Sequence, residues 1–180
     1  MRLFCDVNAY AYTFLRSRCK RLQIKEKHPG AEQLLSGCLK TKEMDTEYKK
    51  SEEAKKNKNW VLAKDIVEPL AENGHAKSQN RLGAIYLYGL GEVPKDLKKA
   101  FKWLKLGAEQ GYDLAQNNLA GMYSRGDGVP QDFKEAVKWY RLAAEQGDEL
   151  AQGNLGLMYF TGEGVPQDYK EAIKWFRLSA

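Results

Sequence analysis

The chain has 180 residues, with 29 Lys/Arg against 24 Asp/Glu and a formal net charge of +5. That is room for one ordinary domain or a short repeat array and too little for a barrel enzyme. A composition of 43% hydrophobic and 29% charged residues matches a globular protein, 16 Gly and 5 Pro exclude collagen and linker sequences, and three Cys are too few for a disulfide framework.

The charge is unevenly placed. Residues 1–44 hold nine basic and four acidic residues, a net +5, and all three cysteines, Cys5, Cys19 and Cys38; residues 45–180 hold 20 of each sign. The whole-chain charge suggests nucleic acid or an anionic membrane as partner, but the division near Met44 leaves the larger piece neutral. In the first piece, Ala11, Leu15, Cys19 and Leu22 share one side of a possible helix, with Arg16, Lys20 and Arg21 elsewhere. That arrangement suits a basic amphipathic anchor or a transit-like peptide. The stretch between Arg2 and Arg16 contains Asp6, Asn8 and Thr13, unlike a cleavable signal peptide. Leu35-Ser36-Gly37-Cys38 copies a lipoprotein box, but Lys25 to Gln33 before it form no apolar region. The leading expectation for 1–44 is a poorly ordered extension, or a mis-set start with Met44 as first residue; targeting is the alternative. No convincing signal peptide or membrane span is present, so the compartment stays open with the cytoplasm slightly favoured, and membrane binding is expected only if the extension is an anchor.

Residues 45–76 read as a polar helix over Asp45 to Asn57, suited to capping an array, then a degenerate half-repeat with Ala63, Ile66 and Leu70-Ala71-Glu72-Asn73-Gly74. Three fuller copies follow, at 77–113, 114–149 and 150–180. Leu114 to Ala144 laid over Leu150 to Ala180 gives 21 identities in 31 positions, which makes the repeat the organising feature of the chain.

Each copy predicts two helices. Ala115, Leu119, Met122 and Tyr123 form one apolar stripe, and Ala136, Trp139, Tyr140 and Ala143 form a second. Between them Gly126-Asp127-Gly128-Val129-Pro130-Gln131-Asp132 provides glycines for positive φ, a proline that stops the first helix and an aspartate to cap the second. Asp96, Asp132 and Asp168 are the expected caps, and Asp132/Glu135 and Asp168/Glu171 stand at capping-box spacing. Gly111 and Gly147 follow Glu-Gln where a left-handed helix terminator belongs. Mid-helix Gly83, Ala120 and Gly156 mark close approach of a partner helix. One helix pair cannot bury its stripe alone, so the units must stack into an all-α, α/α solenoid. Trp103, Trp139 and Trp175, with Tyr86, Tyr123 and Tyr159, are its expected bulk. On that reading Trp139→Ala costs roughly 3 to 5 kcal/mol.

The run Ala-Gln-x-x-Leu-x-x-Met-Tyr-x-x-Gly-x-Gly-Val-Pro-Gln-Asp-x-x-Glu-Ala-x-x-Trp, at Ala115 to Trp139 and Ala151 to Trp175, resembles the Sel-1-like repeat (SLR) family, relatives of tetratricopeptide (TPR) repeats. Alanine replaces the family's glycine at Ala120, and Gly156 keeps it. The resemblance covers about residues 58 to 180. It implies a right-handed superhelix of antiparallel helix pairs acting as a non-catalytic scaffold or adaptor for a protein or peptide. Some SLR proteins are cysteine-rich and carry a β-lactamase-like label. No cysteine follows Cys38, which disfavours that framework and the alternative of a cell-envelope ligand-binding or enzyme-associated protein. A purely structural segment of a longer array is the remaining alternative.

No catalytic residue, metal or cofactor is expected. The Gly-x-Gly loops lack a following Lys-Ser/Thr and a preceding strand, the aspartates recur as caps, and His28 and His75 have no ligand cluster. A neutral array also argues against nucleic acid. By analogy with TPR grooves, the inner face should present Asn80, Ala84, Leu87 and Tyr88, then Asn117, Gly121, Ser124 and Arg125, then Gly153, Leu157, Phe160 and Thr161. One cation among several apolar residues favours a ligand with apolar anchors over an acidic tail. The last copy stops at Ser179-Ala180, before the Glu-Gln-Gly of the others; the expectation is a fragment of a longer array, with self-association through the end face as the alternative.

Overall fold

The computed structural model describes residues 31–180, with side chains from Lys40 onward. The expectations for residues 1–30, and for the side chains of Leu35 to Cys38, lie outside the described residues. Eight helices and no strand occur among the described residues: α1 (Ala31–Lys56), α2 (Trp60–Glu72), α3 (Ala76–Tyr88), α4 (Leu97–Glu109), α5 (Asp113–Arg125), α6 (Phe133–Glu145), α7 (Glu149–Thr161) and α8 (Tyr169–Leu178). By packing, the chain divides into Met1–Thr46 and Glu47–Ala180. In the first unit Thr46 Oγ1 donates to the Lys42 carbonyl at 2.9 Å. The second unit holds the rest of the fold.

Helix boundaries follow local chemistry. Asp96, Asp132 and Asp168 cap α4, α6 and α8: their carboxylates accept from the backbone N–H of Lys99 (2.9 Å), Glu135 (3.0 Å) and Glu171 (3.1 Å). The reciprocal half of the capping box is not made. Instead the N–H of each capping Asp donates to the end of the preceding helix, Asp96 to Tyr86 O, Asp132 to Tyr123 O and Asp168 to Tyr159 O, all at 2.9 Å. With that donor already satisfied, the Glu135 and Glu171 carboxylates are free to take Lys138 and Lys174. Helices α3, α5 and α7 end on left-handed Gly89, Gly126 and Gly162.

Each helix packs on the next in sequence from α2 to α8, and α3 also touches α5. Two core clusters result. One runs from Val67 through Leu82, Ile85 and Leu104 to Leu119 and Met122; the other holds Ala120, Val137, Tyr140, Leu155, Met158 and Trp175. The largest fully buried side chains are leucines, Ile85 and Met122, so the tryptophans are not the main bulk that their size suggests. Trp175 is buried, whereas Trp103 and Trp139 are only partly so. Trp139 and Tyr123 pack against both clusters and join them.

Close backbone approach sets the stacking. A Cβ at Gly83 would lie 2.6 Å from Leu104 Cγ, and one at Gly156 would lie 2.8 Å from the Phe176 ring, so each pair closes over a residue with no side chain. Between units, the second loop glycine sits on the first turn of the preceding second helix: Gly91 on Trp60, Gly128 on Leu97, Gly164 on Phe133.

Candidate interaction surface

Two amide ladders tie successive units together and fix the first-helix face. Gln79, Gln116 and Gln152, one turn into α3, α5 and α7, donate through Nε2 to the carbonyls of Ala71, Ala108 and Ala144. Gln110 and Gln146, at the ends of α4 and α6, then donate to Gln79 Oε1 (2.6 Å) and Gln116 Oε1 (2.7 Å). On the first helices, Asn118 Nδ2 reaches Asn80 Oδ1 at 2.9 Å and Asn154 Nδ2 reaches Asn117 Oδ1 at 3.1 Å. These bonds bridge first helix to first helix, and with the α3–α5 contact they place α3, α5 and α7 side by side on one face.

Where the ladder meets α1, Arg81 takes the position held by Asn118 and Asn154. Its guanidinium donates to Glu52 and, at 3.0 Å, to Tyr48 Oη. Tyr48 also meets His75 edge-on, and His75 Nδ1 lies 2.7 Å from Ser78 Oγ. Burial raises the Tyr48 hydroxyl above its ordinary pKa against the opposing pull of Arg81, and burial likewise raises that of Tyr112. Sequence reading missed this cluster; the odd Arg at an Asn position was its only trace.

The twelve expected groove residues divide. Tyr88, Arg125, Leu157, Phe160 and Thr161 are exposed, and Ala84, Asn117, Ser124 and Gly153 are partly so. Asn80, Leu87 and Gly121 are buried and are corrected to supporting positions. Asn80 is drawn into the ladder by Asn118, Leu87 joins the first core cluster, and Gly121 is covered by Arg125, whose Nη1 would be 3.0 Å from a Cβ there. Arg125 Nε donates to Asp127 at 2.6 Å, neutralising the one cation. Burial raises the pKa of the Tyr140 hydroxyl, and Arg125 opposes the rise. In the last unit Leu157 and Phe160 stand about half exposed, and the Phe160 ring meets Tyr169 edge-on at 5.5 Å. Of the expected structural tyrosines, Tyr86 is buried beneath Lys99 Nζ, 5.1 Å from its ring centroid. Tyr123 and Tyr159 are partly buried, and Tyr159 accepts from Arg141 at 2.5 Å.

Among the described residues no group of three or more His, Cys, Asp or Glu is placed to hold a metal ion, and no helix is long and apolar enough to cross a membrane.

The Sel1 repeat model matches residues 76–112, 113–148 and 150–180. The chain belongs to the Sel1 repeat family. Sel1 repeat proteins are commonly protein-interaction scaffolds and typically non-catalytic. Among solved structures, the chain is 46% identical to a protective antigen present in uropathogenic Escherichia coli strains displaying an SLR fold, with a TM-score of 0.61 over 64% of this chain. It spans only 25% of that antigen's chain. It is 33% identical to a Sel1 repeat protein from Oxalobacter formigenes, also at a TM-score of 0.61, over 64% of this chain and 87% of that one. No curated protein sequence matches it. The all-α solenoid read from the repeat is thus the fold of the family.

Proposed function

We propose that this Sel1 repeat chain is a non-catalytic scaffold that binds a peptide or helix with apolar anchors along the α3–α5–α7 face. The exposed Leu157 and Phe160 on α7 carry the reading: each costs solvation where it stands, and each would gain on burial against an apolar ligand residue. Tyr88 adds an aromatic contact at the other end of the face. Arg125 is held by Asp127, which favours a neutral ligand over an acidic tail. Residues 45–180 carry no net charge, which disfavours nucleic acid.

Selection from a displayed peptide library tests this. The full chain should enrich peptides with spaced apolar residues, and Leu157→Glu/Phe160→Glu should lose at least tenfold in affinity for them while keeping its helical circular dichroism. Absence of enrichment, or equal binding by the variant, would overturn the placement.

A further inference from the structure

The connections between units carry leucines that the core does not use. On α4 the core takes Leu104 and Ala108, and on α6 it takes Tyr140 and Ala143. Leu106 and Leu142 stand outside it, 37% and 45% exposed, and Leu114 in the first turn of α5 is 39% exposed. Further helices of the array lie on both sides of α4, α5 and α6, so this exposure belongs to the repeat itself. The amide ladder sets the three in a row. Gln146 Nε2 donates both to Leu142 O at 3.2 Å and to Gln116 Oε1 at 2.7 Å, which draws the last turn of α6 against the first turn of α5, where Leu114 stands. Gln110 bonds Leu106 O and Gln79 Oε1 in the same way, and only Gln110-Gly111-Tyr112 separates α4 from α5. One edge of the array therefore carries all three leucines.

The charges along that edge select its occupant. Residues 45–180 hold equal numbers of each sign, yet the two connections, residues 109–114 and 145–150, hold Glu109, Asp113, Glu145, Asp148 and Glu149 and no Lys, Arg or His. Among the described residues only Glu109 of these five is in an ion pair, with Lys105 at 3.8 Å. Asp113 and Glu149 add to the rise in the Asp148 pKa that burial causes, so like charges stand together there with no cation to offset them. The equivalent stretch before α3, residues 72–77, differs in carrying His75 and Lys77 beside Glu72. Carboxylates in this setting repel nucleic acid and anionic membranes and favour a cationic partner. A second copy docked by the same edge would set carboxylate against carboxylate. The spacing suits a helix. Side chains at i and i+7 of a helix are about 10.5 Å apart along its axis, close to the roughly 8–10 Å between packed helices such as α4 and α5.

We infer that this edge docks a basic amphipathic helix of a partner protein, its apolar stripe on Leu106, Leu114 and Leu142 and its cations against the carboxylates of the two connections. The inference goes beyond the groove reading and does not depend on it. Leu157 and Phe160 lie about two turns or more along α7 from this edge.

Fluorescence anisotropy on the full chain tests it, with a labelled helical peptide of about 18 residues that carries leucines along one stripe and lysines and alanines elsewhere. The peptide should bind, and its affinity should fall at least fivefold between about 50 and about 300 mM salt. A peptide of the same composition with its leucines spread around the helix should bind at least tenfold more weakly. Leu106→Ser/Leu142→Ser and Glu145→Lys/Glu149→Lys, each checked for native circular dichroism, should each lose at least tenfold. Glu92→Lys/Glu163→Lys makes the same change in net charge at exposed sites elsewhere and should stay within twofold, as should the groove variant Leu157→Glu/Phe160→Glu. No binding, equal binding of the rearranged peptide, unchanged affinity of either edge variant, or loss in either control would each overturn the proposal. So would a mass above 20.5 kDa in sedimentation equilibrium without peptide that Leu106→Ser/Leu142→Ser abolishes, because the occupant would then be a second copy.

Discussion

Asp148 shows how one cap differs from the rest. It accepts from Ala151 N–H at 2.6 Å, as a cap should, yet burial raises its pKa above 3.8, with Asp113 and Glu149 adding to the rise. The native state then holds this proton more tightly than the unfolded chain does, so its contribution to stability falls as pH rises from 3.8 through the folded-state pKa. At pH 7 the charged form is a cost. Asp148→Asn keeps a capping oxygen and removes the charge, and it should raise the urea midpoint at pH 7, with the advantage vanishing below pH 3.8. Asp96 works the other way. The Lys99 N–H lowers its pKa, so its stabilisation is present above 3.8 and is lost as pH falls through the lowered value. The capping positions were legible because an Asp before each second helix is a local chemical signal. The environment that splits Asp148 from Asp96 is not local, and the sequence carried no sign of it.

Among the elements, the loops do more than turn the chain. Gly164 at φ +74° and Gly147 at φ +95° both need the left-handed region. A Cβ on Gly164 would also meet Phe133 O at 2.3 Å, whereas one on Gly147 would meet nothing within 4 Å. Gly147→Ala should therefore cost about 1 kcal/mol, from the backbone alone. Gly164→Ala adds a clash with the neighbouring unit and should cost roughly 2–4 kcal/mol. Equal losses in urea unfolding would mean that the loop does not seat on the preceding unit. Helix lengths and turns could be read from apolar period and Gly-x-Gly-Val-Pro spacing. The seating of Gly91, Gly128 and Gly164 on Trp60, Leu97 and Phe133 could not, because it joins residues some thirty positions apart.

For the molecule as a whole, the array is a chain of nearest-neighbour interfaces, and among the described residues Trp139 is one of two side chains, with Tyr123, that pack against both core clusters. Because this side chain is partly exposed, Trp139→Ala belongs near the lower end of the roughly 3–5 kcal/mol expected for a fully buried Trp. Its more telling effect should be on cooperativity: unfolding followed separately by probes in α3–α4 and α7–α8 should split into two transitions. A single coincident transition with a loss below about 1 kcal/mol would show that Trp139 does not couple the two clusters.

The sequence by itself determined the repeat, its helix pairs, their caps and the solenoid, because each rests on hydrogen bonds and backbone preferences within a few residues, reiterated three times. Tertiary structure decided which of the repeated positions face solvent. Asn80, Leu87 and Gly121 fit the groove pattern as well as Leu157 and Phe160 do, but packing and the amide ladder took the first three inside. The same rule separates Val137 from Ile173: β-branched residues at one repeat position are 5% and 50% exposed, because tertiary packing and not residue type sets burial.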